Sequence, residues 1–256
     1  MTPLTANILQ PLIDVANGVL QFFHDSAGLS WGMSIIALTV VTRAVLIPLT
    51  YKQLKGMRAM QALQPQIKEL QEKYKNDKQR MQQEMMRFYK ENKVNPLASC
   101  LPLLAQLPVF ITLFYVLRHE LPPDMGCPQA GHCAAYGAEF FFIDDLTGKA
   151  TGGELIALLI LYVGTQLASG AVMAVTADKS QRMMMFVLPL VFVPFILSFP
   201  AGLILYWITT NFWTIGQQLV IKRIIPPPVV ATPEGAAAIA AAKPPPPPPR
   251  KKKRRR

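Results

Sequence analysis

Apolar residues run through this chain in blocks, without the alternation of a sheet or the single stripe of a soluble helix. Five blocks stand out: Ser30–Leu49, Leu97–Leu117, Leu155–Val175, Met183–Phe199 and Gly202–Ile221. Most approach the ~20 residues that a membrane-spanning helix needs. The fourth is shorter and holds Pro189 and Pro194, and only Pro200 and Ala201 separate it from the fifth. Those two read as a tight helical hairpin. The pattern predicts an all-α, polytopic membrane protein with five transmembrane helices.

Between the first two blocks the period changes. From Gln53 to Tyr74, the residues Leu54, Met57, Leu63, Ile67, Leu70 and Tyr74 step at multiples of about 3.5. After "KND", Met81, Met85 and Phe88 repeat the stagger. This predicts an antiparallel helical hairpin with a narrow apolar seam, its first helix kinked at Pro65. A coiled-coil spacer would carry the same seam. Ahead of the first block, Ile8, Leu12, Val15, Val19, Phe22 and Phe23 recur mostly at spacings of three and four. That suits a helix lying on the membrane surface or one packed on the bundle. "LTANILQPLIDVANGVLQFF" has no basic n-region, so no secretory signal is expected.

Composition agrees with the blocks. Of 256 residues, 51% are hydrophobic and 16% charged, against about 25% charged in a soluble domain. The net charge is +11, and its distribution sets an orientation. Residues 1–29 contain no Lys or Arg, Tyr51–Pro96 contain eleven, and the tail from Lys222 contains ten. Cytoplasmic loops are enriched in Lys and Arg. The expected organisation is therefore an extracytoplasmic segment 1–29, a first span 30–50 and a cytoplasmic helical hairpin 51–96. Spans two to five follow in 97–222, with an outer loop at 118–153, and a Pro-rich basic tail occupies 223–256 on the cytoplasmic side.

Arg43 lies inside the first block, where an arginine near mid-membrane costs roughly 2.5–3.5 kcal/mol. No Asp or Glu lies in any of the five blocks, so an ion pair between spans is unavailable. Two options stand: a hydrated cavity, or snorkelling toward Thr50, roughly 10 Å away along the helix. The fifth block is the most polar, with Tyr206, Trp207, Thr210 and Asn211 among others, while Gln106 and Gln166 mark the second and third. Such groups face a bundle interior or a watered cavity. Met57, Met60, Met81, Met85 and Met86 fall in the hairpin, and Met183, Met184 and Met185 open the fourth block. Flexible methionines suit surfaces that accept varied apolar partners, and they also serve as core filler.

Cys127 and Cys133, in "CPQAGHC", fall in the outer loop, where a disulfide, free thiols or a metal site with His132 can be considered. Three potential ligands in so short a loop are weak evidence for metal, and none is expected. Cys100 reads as packing. There is no Gly-rich phosphate loop of the Walker type, and His24, His119 and His132 have no nucleophile or paired acid nearby. Neither a cofactor nor an enzymatic activity is expected. The tail ends in "RKKKRRR", comprising Arg250, Lys251, Lys252, Lys253, Arg254, Arg255 and Arg256. Such a block binds ribosomal RNA through its phosphates or anionic lipid.

"WGMSIIALTVVTRAVLIPL", "KYKNDKQRMQQEMMRFYKENKVNPLASCLPLLAQLPVFITLFYVL", "FFIDDLTG" and "FPAGLILYWITTNFWTIGQQ" together resemble the YidC/Oxa family of membrane protein insertases. The resemblance covers about Gln10 to Arg223, in the expected order, and suits the short five-span form. It implies a groove open to cytoplasm and lipid, closed on the outside, with Arg43 facing into it. Trp207 matches the family's aromatic near that arginine. Gln106, Gln166, Tyr206, Thr210 and Asn211 are candidates for its lining. The implied substrates are nascent membrane proteins at a bacterial plasma membrane, with the ribosome and the Sec translocon as partners and no nucleotide hydrolysis. A non-translocating scaffold is the alternative. A solute transporter would show internal repeats, and none is found.

Overall fold

The computed structural model describes residues 3–51, 56, 63–92, 94, 101–174 and 179–224. Regular structure among them is helical, with two isolated antiparallel bridges, Phe140 to Ile143 and Lys149 to Pro200. The helices are α1 (Pro3–Gln21), α2 (Trp31–Val45), α3 (Gln64–Lys73), α4 (Lys78–Glu91), α5 (Leu101–Tyr115) and the short α6 (Leu121–Asp124). They continue as α7 (Gly152–Ala174), α8 (Lys179–Ile196) and α9 (Ala201–Ile224). The helices α3 and α4 belong to one compact unit, and the others belong to a second.

Local chemistry accounts for several boundaries. Ser30, in extended conformation, caps α2, its Oγ accepting from the Met33 amide at 3.4 Å. The helix stops at Val45 because Pro48 has no N–H for the Ala44 carbonyl, and helical bonding resumes with Thr50 N to Leu46 O at 2.9 Å. The α5 helix passes through a π-helical turn, Val116–Glu120, into α6. Among the described residues one uninterrupted helix, over Gly152–Val172, is long and apolar enough to cross a bilayer. The α2 helix is apolar but has 15 residues, about 23 Å of the ~30 Å required.

In the larger unit α9 packs on both α7 and α2, α8 packs on α7, and α1 packs on α5 and α2. Among the described residues α8 lies along α7 and not along α9, the helix it leads into, so the expected tight hairpin is a sharp turn between helices that diverge. The helices α2, α7 and α9 all start at one end. Gly202 N donates to Leu146 O at 2.9 Å and Ala201 N to Gly148 O at 2.7 Å, while the Phe140 ring lies against Gly32. The loop 138–150 therefore crosses the first turns of all three helices. The densest core sits beside it: Ile35, Val116, Leu117, Leu121, Leu146 and Leu203 are fully buried.

That loop is braced twice. Cys127 and Cys133 are disulfide-bonded. The Asp145 carboxylate accepts from Cys133 N at 2.8 Å through Oδ2, and from Thr147 N and Oγ1 at 2.8 and 2.7 Å through Oδ1.

In the smaller unit α3 and α4 pack against each other. Pro65 sits in the first turn of α3, where its missing N–H costs nothing, and the upstream part of the expected kinked helix lies outside the described residues. Asp77 caps α4, accepting from Arg80 N at 3.0 Å. Arg87 and Glu91 pair at 2.9 Å on its exposed face.

Candidate functional site

On α2 and α5 the described residues are less buried away from the loop end. On α2 every buried residue lies at or before Thr39, and on α5 the segment Gln106–Ile111 is half-buried or exposed. On α9 residues 201–204 are all buried, buried and half-buried positions alternate from there to Asn211, and Ile221 is buried near the far end. The loop end is closely packed, and on α7 burial continues to Thr165, Ser169 and Gly170.

Arg43 lies on α2 beyond its last buried residue, Thr39. It is half-buried and has no carboxylate partner, and among the described residues the one salt bridge is Arg87–Glu91 on α4. The titratable group within electrostatic reach of Arg43 is the buried Tyr206 of α9. Tyr206 is five residues into α9, ~7.5 Å from its loop-end start. Arg43 on α2 and Tyr206 on α9 belong to helices that pack against each other. One turn earlier, Thr39 Oγ1 donates to Ile35 O at 2.7 Å, and Thr42 Oγ1 donates to Thr39 O at 2.9 Å. Both hydroxyls direct their O–H to carbonyls of their own helix.

The α9 polar residues divide by face. Thr210 is buried one turn beyond Tyr206. Asn211 Nδ2 donates to Thr165 Oγ1 at 3.2 Å, joining α9 to α7, and Thr165 in turn donates to Leu161 O at 2.7 Å. The partner of Asn211 is thus Thr165, and the neighbouring Gln166 is half-buried beside it in sequence. Trp207 turns toward an aromatic cluster. It stacks on Phe110 at 5.1 Å and meets Phe199 edge-on at 5.9 Å, with Tyr162 at 6.0 Å. Trp207 thereby ties α9 to α5 and α7. Phe110 and Phe199 carry no sequence signal for this cluster beyond their aromatic character.

Gln106 is half-buried on α5, and its Nε2 has no hydrogen-bond partner among the described residues. A buried donor left alone is costly and invites water or a ligand. In the smaller unit Met81 and Met85 are half-buried and Met86 is 55% exposed. Met57, Met60, Cys100 and the basic run Arg250–Arg256 lie outside the described residues. The disulfide engages both outer-loop sulfurs, which removes them as metal ligands.

The class of protein defined here is an all-helical bundle, closed by a loop at one end, with an arginine among apolar helices that has no carboxylate partner among the described residues. A family model described as "60Kd inner membrane protein" matches residues 22–228, and the chain belongs to that family. The membrane protein insertase YidC of Streptomyces avermitilis is 39% identical over 232 residues, covering 80% of this chain and 54% of that protein. The insertase of the same name from Mannheimia succiniciproducens is 40% identical over 218 residues, covering 84% and 37%. A crystal structure of an active YidC insertase with its first transmembrane domain resolved superposes with a TM-score of 0.63 at 25% identity, covering 83% of this chain and 45% of that one. The chain spans about half or less of the length of these relatives. The family recognised from the sequence motifs is thereby shown.

Proposed function

We propose that this chain is a membrane protein insertase that accepts nascent membrane proteins and releases their spans into lipid along the face carrying Arg43. The observation that carries the reading is the half-buried Arg43, with no carboxylate partner among the described residues, on α2 beyond its last buried residue, Thr39. In low dielectric an unpaired cation acts strongly at a distance. It attracts carboxylates in the outward-going tail of a substrate, and the substrate's apolar span follows by burial at about 25 cal/mol per Å². Nucleotide hydrolysis has no part in this scheme.

The topology proposed is five spans with the N-terminus outside and the C-terminus cytoplasmic in a bacterial plasma membrane. The segment 51–96 is the cytoplasmic hairpin, 118–153 the outer loop and 223–256 the basic tail. Arg43, Gln106, Gln166, Tyr206, Thr210 and Asn211 line the groove, with Trp207 positioning Tyr206. The hairpin methionines Met57, Met60, Met81, Met85 and Met86 meet apolar segments of substrate or delivery partner. The tail residues Arg250–Arg256 dock on ribosomal RNA or anionic lipid, and the ribosome and Sec translocon are partners in cotranslational work. The closely packed loop end and the unpaired Gln106 amide support this reading.

Reconstitution tests it. Proteoliposomes holding the purified chain, without nucleotide, are expected to insert a small single-span protein bearing an acidic outer tail, scored by protease protection. Insertion no better than in protein-free liposomes, with the chain shown to be folded, would favour a scaffold.

A further inference from the structure

We propose that Phe141 and Phe142, at the tip of the outer loop, form a rigid aromatic anchor that inserts into the lipid interface. The inference rests on the membrane-spanning reading above and goes beyond the transport face.

Phe140 and Ile143 exchange backbone hydrogen bonds, Phe140 N to Ile143 O at 2.8 Å and Ile143 N to Phe140 O at 2.9 Å. They close a two-residue turn with Phe141 and Phe142 at its tip. Phe141 has φ +54°, and among the described residues it is the one non-glycine with positive φ. A bulky side chain in that region is a true outlier, and such tight turns ordinarily place glycine there. The strained residue is also 90% exposed, and Phe142 is 46% exposed. An apolar ring held outward at a conformational cost, on a loop braced by a disulfide and by Asp145, points to something outside the chain that receives it.

The height of the tip identifies the receiver. The Phe140 ring fills a notch left by Gly32, where an added Cβ would overlap it. Gly32 is the second residue of α2. The Phe141 ring is 4.7 Å from the Phe140 ring, edge to face. The tip therefore sits level with the first turn of a membrane span, the depth at which aromatic rings concentrate at the membrane interface. Phe22, just ahead of α2, is 60% exposed and adds a further apolar ring near that helix start. A protein receiver is disfavoured by size. Two phenylalanines offer roughly 300–500 Å², whereas a stable interface needs about 800 Å² from each side.

The test uses the full chain reconstituted in phosphatidylcholine vesicles with or without bromine on the acyl chains. Tryptophan emission is compared with wild type to subtract Trp31, Trp207 and Trp213. Phe141→Trp is measured beside Gln129→Trp, an exposed position on the same loop, and Ile160→Trp, an exposed position midway along α7. Phe142→Trp serves if Phe141→Trp does not fold. Bromine is expected to remove a roughly twofold greater share of the added emission at Phe141 than at Gln129, as for a ring at the interface. A Phe141 signal that matches Gln129 while Ile160 is strongly quenched would overturn the anchor and leave the spans intact. Absence of quenching at Ile160 would overturn the spanning reading and the anchor with it.

Discussion

Asn211 on α9 donates its side-chain amide to the Thr165 hydroxyl on α7 across 3.2 Å, both groups being buried. This bond joins the two helices five residues beyond Tyr206 along α9. Interhelical hydrogen bonds in membrane proteins average about 0.6 kcal/mol. A double-mutant cycle of Asn211→Ala and Thr165→Val, read by unfolding in mixed micelles, is expected to return a coupling near that value. Strict additivity would mean that the two side chains do not interact in the folded protein.

Gly32 makes room for a ring. The Cβ added in Gly32→Ala would overlap the Phe140 side chain, and overpacking of this kind costs about 1–3 kcal/mol. The expected loss in unfolding free energy should shrink when Phe140→Ala is added, since the truncated side chain removes the clash. A double variant with fully additive losses would contradict the notch.

The disulfide between Cys127 and Cys133 closes a short loop. Replacing both cysteines by serine is expected to lower stability by about 2 kcal/mol, as the chain-entropy argument gives for so short a loop. Insertion per folded molecule should stay at the wild-type level. In intact cells, alkylation of these two thiols should require prior reduction. Labelling without reductant would place the loop on the reducing side of the membrane and invert the proposed topology.

Trp207 is held by Phe110 and Phe199. Truncation to alanine is expected to cost about 3 kcal/mol, at the low end for large aromatic side chains. Trp207→Phe should keep most of that stability. Thermal unfolding of both variants checks the order, and equal losses would show that the stacking carries no weight.

The helices are legible in the sequence because an apolar block of span length is hard to satisfy outside a bilayer, and the family is legible from the joint order of motifs. The apolar periodicity runs through Pro65 and does not reveal that α3 starts beside it. The pairing of Asn211 with Thr165 is hidden for a different reason. Thr165 and Gln166 are adjacent polar residues on a helix, about 100° apart, and only the packing of α9 chooses between them. Likewise Tyr206 and Trp207 are consecutive, and the direction of each is set by partners far away in sequence. The Phe140–Gly32 contact joins residues more than a hundred positions apart, which no local pattern encodes.

The central claim is that the Arg43 charge draws substrate into the groove. The most direct measurement compares wild type, Arg43→Ala and Arg43→Lys for insertion of a single-span substrate with an acidic outer tail, in proteoliposomes matched for folded protein. Insertion is expected to be abolished by alanine and retained by lysine, because a positive charge matters more than guanidinium geometry. Equal insertion by all three would contradict the claim, reducing Arg43 to a structural residue and leaving hydrophobic sliding as the driving step.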